Sequence, residues 1–216
     1  MRRLLLALLA CAATGASPAH AQTRLPVDSI RDDRAFTFYG HPPYRAAIPR
    51  PETILGYPVG SWHTQYDRQE RVLFAIAEAA KDRVSIEEIG VTSERRTMRL
   101  YLVSAPENIA RLEAIRADLD RLADPRGATP AQLQAVAART PAVIWFSGSV
   151  HGDEVPGFEA SMQLLYHFAA TEDPATLALL KDAVVVINPS SNPDGHERFA
   201  VWSNSIAVGS PERQAI

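Results

Sequence analysis

Two apolar runs, each followed at once by polar residues, constrain this chain most. Ala142 to Val150 (AVIWFSGSV) and Ala183 to Ile187 (AVVVI) are dense in β-branched and aromatic residues, and their length suits strands rather than helices. Runs without alternation belong to strands buried on both faces, as in parallel sheets. Between them, Pro156 to Ala170 places Phe158, Met162, Leu165, Tyr166 and Ala169 on or near one helical face, and Leu177 to Asp182 adds a short helical stretch. Strand, helix and strand make a right-handed crossover. In such sheets functional groups gather beyond the carboxyl ends of the strands. His151-Gly152-Asp153-Glu154 and Asn192-Pro193-Asp194-Gly195 both fall there.

Upstream, Tyr66 to Lys81 reads as an amphipathic helix through Val72, Leu73, Ile76, Ala77 and Ala80. Val84 to Val91 and Thr97 to Val103 read as strands joined by a polar turn. Pro106 to Ala123 is a second helix, and Thr129-Pro130 caps and opens a third that ends near Arg139. The expected fold is therefore α/β, with a mixed, largely parallel sheet flanked by helices. A net charge of −3 over 216 residues gives no electrostatic reason to expect nucleic acid as a partner.

The N-terminus reads as a targeting segment. Arg2 and Arg3 precede an apolar run from Leu4 to Ala13, followed by Ala19-His20-Ala21, the layout of a cleaved signal peptide. The run is too short to span a bilayer. Residues 1–21 are thus expected to direct secretion or periplasmic export. Residues 22–51 are expected to form an extended leader rich in proline, arginine and aspartate, and 52–216 the main domain, with a helical insert at 105–140. Cys11, the only cysteine, lies in the signal, so the mature chain has no thiol chemistry.

His151 and Glu154 stand three apart between a strand and a helix. An imidazole and a carboxylate suit Zn²⁺, and in a tight turn both can reach one point. Taken alone, the same residues also suit a helix start, with Asp153 and Glu154 favouring its positive end and His151 a loop histidine. Asn192 to Gly195 reads locally as a turn.

As an ordered set these features resemble the M14 family of zinc metallocarboxypeptidases. Gly90-Val91-Thr92-Ser93-Glu94-Arg95-Arg96 is similar to the family's G-x-S-x-E-G-R hairpin, with the serine displaced and arginine in place of glycine. Val143 to Glu154 resembles the strand leading into its HxxE zinc motif, and Val184 to Gly195 the strand leading into its NPDG turn. The resemblance covers roughly residues 62–199. It implies a Zn²⁺ cofactor held by His151, Glu154 and a later histidine, and a peptide or protein C-terminus as substrate. An amidohydrolase or deacylase on the same fold, or a secreted binding module without metal, are the alternatives.

In that family the third ligand, the Asn-Arg clamp for the substrate carboxylate and the catalytic glutamate follow the NPDG turn. Here Ile216 stands 21 residues beyond Gly195. The expectation is a partial catalytic domain, incomplete at its C-terminus and inactive alone. His41, His63 and His167 are expected to have ordinary surface or helix roles, and no role passes to Arg198 or Arg213.

Overall fold

The computed structural model describes residues 37–206. The expected signal peptide, Cys11, Arg213 and most of the leader up to residue 36 lie outside them.

The sheet has four strands: β1 (Val84–Val91), β2 (Thr97–Val103), β3 (Ala142–Ser147) and β4 (Ala183–Asn188), in the order β1-β2-β4-β3. The expected mixed α/β sheet is present. Its β1–β2 and β2–β4 pairings are antiparallel, and parallel pairing is confined to β3–β4, from Ala142 opposite Ala183 to Ser147 opposite Asn188.

Helices cover both faces of this sheet at β2 and β4. Successive β4 side chains point to opposite sides. On one side Val185 and Ile187, with Tyr101 and Val103, meet α2 (Tyr66–Ala79) and α6 (Val155–Ala170) through Val72, Leu73, Ile76, Met162 and Leu165. On the other, Val184 and Val186, with Leu100 and Leu102, meet Ile115, Leu112 and Leu119 of α4 (Leu112–Ala123). The segment at 105–140 therefore lays one helix against the sheet. The remaining helices are α1 (Pro51–Leu55), α3 (Pro106–Ile109), α5 (Pro130–Arg139), α7 (Pro174–Asp182) and α8 (Pro193–Ile206). Thr129 and Gln132 form a reciprocal capping box at the start of α5. No helix among the described residues is long and apolar enough to cross a membrane.

Three expectations are corrected. The helix from Pro106 to Ala123 is broken into α3 and α4, because Arg111 leaves helical geometry at φ −127° and ψ 25°. Asn192 to Gly195 is the start of α8 rather than a free turn. The Asn192 Oδ1 accepts the Gly195 N–H at 3.0 Å, Pro193 takes the first helical position, and His196 N–H bonds back to Asn192 O. Asparagine followed by proline suits a turn and a helix start equally, and here the residues that follow continue the helix.

The third correction concerns β3, expected to be buried. It forms the sheet edge, and Trp145 is 55% exposed while its registered partner Val186 is 5% exposed. Apolarity without alternation marked the strand, but burial needs a neighbour on the second edge, and none stands there among the described residues. Trp145→Ala is accordingly expected to cost under about 1 kcal/mol. Ile187→Ala, in the fully covered strand beside it, is expected to cost about 2 kcal/mol. Urea melts of the two variants check the contrast.

Candidate metal centre

Both polar motifs leave the same end of the parallel pair. The β3–β4 ladder continues past the strands: Gly148 N–H donates to Asn188 O at 2.8 Å, Ser191 N–H to Gly148 O at 2.8 Å, and Asn192 N–H to Ser149 O at 3.0 Å. This zips the loop at 148–154 against the loop that opens α8. Gly152 then meets the first turn of α8 so closely that a Cβ would stand 2.1 Å from the Gly195 carbonyl carbon and 2.4 Å from the His196 nitrogen. Only glycine fits there.

The packed loop brings His151 and Glu154 together. His151 Nδ1 lies 2.9 Å from Glu154 Oε2, and the two side chains are 71% and 65% exposed. The hydrogen bond to the Glu154 carboxylate, its charge and that of Asp153 together hold the His151 pKa above the ordinary histidine range. Glu154 occupies the N-cap position of α6 but its side chain makes no cap bond, so its carboxylate is directed to His151 and not to the helix start. One imidazole nitrogen and one carboxylate oxygen lying 2.9 Å apart at an exposed site are donors of the kind suited to Zn²⁺. Among the described residues no third histidine, cysteine, aspartate or glutamate joins them.

The other histidines lie elsewhere. His196 is fully buried, with Nδ1 3.1 Å from Gly152 O and Nε2 2.9 Å from Thr64 O, so neither nitrogen is free for a metal. His167 is half-buried on α6, with Nδ1 3.1 Å from the Tyr44 hydroxyl. His63 packs edge-on against Phe199, and His41 lies near the His167 ring. Arg198 pairs with Glu94.

Asp194 ties the start of α8 to the hairpin. It accepts from Thr92 Oγ1 at 2.8 Å, from the Glu94 N–H at 3.2 Å and from Arg96 at 2.7 Å. Burial pushes this carboxyl up, but the bonds from Thr92 and Arg96 outweigh it and hold it below the usual range. Sequence reading placed these residues in the hairpin and the NPDG turn without joining them. They lie 98 to 102 residues apart, and nothing local announces the contact.

Burial lowers the pKa of His196, and of His63 and His167 as well. Unfolded, these imidazoles take up protons near 6.5; folded, they stay neutral to lower pH. The unfolded chain therefore binds more protons as pH falls past 6.5, and stability falls with it. Buried Glu70 and Glu159, with raised pKa values, act in the opposite sense nearer their ordinary value of 4.5, and His151, whose pKa is also raised, opposes the three lowered imidazoles from above 6.5 downward. Thermal midpoints measured from about pH 7.5 to 5.5 are expected to decline, with a shallower slope in His196→Phe.

Residues 70–208 match the family model Peptidase_M14, zinc carboxypeptidase. The match spans well over half of the chain, which belongs to this family of metallocarboxypeptidases. Comparison with curated proteins gives no match. Solved structures similar to it include the carboxypeptidase A from Helicoverpa armigera, at 16% identity and a TM-score of 0.44, over 68% of this chain and 31% of that one. A metallo-carboxypeptidase from Burkholderia cenocepacia is 21% identical with a TM-score of 0.41, over 63% of this chain and 29% of the other. The chain thus spans less than a third of the length of these solved proteins.

Proposed function

We propose that this chain carries part of the active site of an exported zinc carboxypeptidase, with His151 and Glu154 as two of the metal's protein ligands. The supporting observation is the 2.9 Å approach of an open imidazole and carboxylate at the end of β3, inside the family-matched region. A bound zinc ion would supply Lewis acidity toward the scissile carbonyl.

The chain's own residues do the rest of the positioning. Gly152 lets the loop lie flat on α8, and the extended ladder fixes its root. To act as a ligand through Nδ1, His151 would bind as a neutral imidazole with no proton on that nitrogen. The third ligand, the general base and the group that grips the substrate's terminal carboxylate are assigned to residues outside those described. The signal at residues 1–21 supports export, with cleavage after Ala21, which the N-terminal mass of the exported protein tests.

The activity is tested by incubating the whole exported protein with peptides of varied C-terminal residue. Release of single C-terminal amino acids, seen by mass spectrometry, is the expected result. Intact peptides alongside hydrolysed N-acyl amino acids would replace the carboxypeptidase by a deacylase.

A further inference from the structure

Beyond its root at Gly148 and Ser149, which the ladder bonds to residues 188–192, the loop that carries His151 and Glu154 makes few hydrogen bonds to the rest of the protein. Within it, Glu154 N–H bonds His151 O at 3.2 Å, Ser149 Oγ reaches His151 O at 3.3 Å, and the two candidate ligands bond each other. Among the described residues, the one hydrogen-bond partner that residues 150–153 have beyond the adjoining stretch 149–158 is His196 Nδ1, at the Gly152 carbonyl.

His196 is well placed to act as a fixed post. Its ring is 0% exposed and stacks on Phe158, with centroids 3.5 Å apart and planes 14° from parallel. Its second nitrogen faces Thr64 O at 2.9 Å. Thr64 is itself held by buried Glu159 of α6, which accepts the Thr64 N–H at 2.6 Å and its hydroxyl at 2.9 Å. Contacts thus run from Glu159 through Thr64 and His196 to Gly152, between the two candidate ligands; the neutral ring carries one N–H, and the bond to Gly152 O requires it on Nδ1. Gly152 has no side chain to anchor the loop, and a bond to its carbonyl fixes the Gly152–Asp153 peptide plane, which lies between the two candidate ligands.

We propose that His196 is a positioning residue for the metal loop: through its bond to Gly152 O it holds His151 and Glu154 in converging register. This rests on the reading of those two residues as zinc ligands. It assigns His196 no contact with metal or substrate. Partners that orient ligands without touching the metal commonly govern affinity by tenfold or more.

The test compares three variants by hydrogen exchange at Glu154, whose N–H donates to His151 O across the loop, with zinc uptake measured beside it by competition with a chromophoric chelator. His196→Phe keeps the stack on Phe158 and removes both nitrogens. Loop exchange is expected to quicken about tenfold relative to the amides of β4, and zinc affinity to fall by about tenfold or more. His196→Asn places an amide nitrogen near the position of Nδ1 and is expected to keep loop protection, whereas His196→Gln, reaching toward Thr64, is expected to lose it. The Asn and Gln pair decides the matter even if His196→Phe does not fold.

Loop exchange that is unchanged, that rises only in step with β4, or that does not separate Asn from Gln overturns the proposal. Quickened loop exchange in a protein that takes up no zinc even as wild type would support the positioning role and overturn the metal reading instead.

Discussion

Gly152→Ala is expected to destabilise the protein by about 4 kcal/mol, above the usual cost of an added methyl group in a packed core. The new Cβ would stand 2.1 Å from the Gly195 carbonyl carbon, 2.4 Å from the His196 nitrogen and 2.5 Å from the Gly195 oxygen. All three are backbone atoms at the start of α8, so no side chain can rotate away. Either the loop lifts off α8 or the helix start shifts. A shift of α8 would break the His196 contacts with Gly152 and Thr64 and disturb the Asp194 links to Thr92 and Arg96. For a domain of this size the expected fall in thermal midpoint is about 10 °C. A midpoint within about 2 °C of wild type would show that the loop and α8 do not touch as described.

Arg99→Ala is expected to cost about 4 kcal/mol, because it strands a carboxylate. Arg99 in β2 pairs with Glu70 of α2, the two side chains only 16% and 12% exposed, and its guanidinium lies over the Phe74 ring at 4.8 Å. Burial already pushes the Glu70 carboxyl up in spite of that arginine. Removing the cation leaves Glu70 with only the Tyr101 hydroxyl, at 3.5 Å, and unpaired buried charge is among the most destabilising changes a protein can suffer. The double variant Arg99→Met with Glu70→Leu removes both charges and is expected to recover most of the loss. Denaturant melts of the single and double variants measure the difference. Equal losses in both would mean that the ion pair contributes through packing alone.

Much of this architecture is legible in the sequence wherever local pattern and tertiary role agree. Alternation marks β2 from Thr97 to Val103, and the Thr129-Pro130 start and Arg139 end mark α5, each at the bounds found. Legibility fails where burial depends on a neighbour. Val143, Ile144, Trp145 and Phe146 are as apolar as the residues of β4, yet lie at the sheet edge and are 37 to 55% exposed.

The candidate site divides in the same way. His151 and Glu154 are three residues apart, so their meeting follows from one bend. The support beneath them comes from Thr64, Glu159, Asp194 and His196, brought together over separations of 44 to 132 residues. Asn192 to Gly195 was visible as a motif, but its role as the platform under the loop depends on the Gly152 contact, which only the fold supplies.

Zinc stoichiometry is the most direct measurement of the central claim. The whole exported protein, stripped with chelator and titrated with zinc, is expected to take up one equivalent, and His151→Ala and Glu154→Ala are each expected to abolish that uptake while remaining folded. One equivalent retained by both variants would contradict the assignment of this loop as a metal centre.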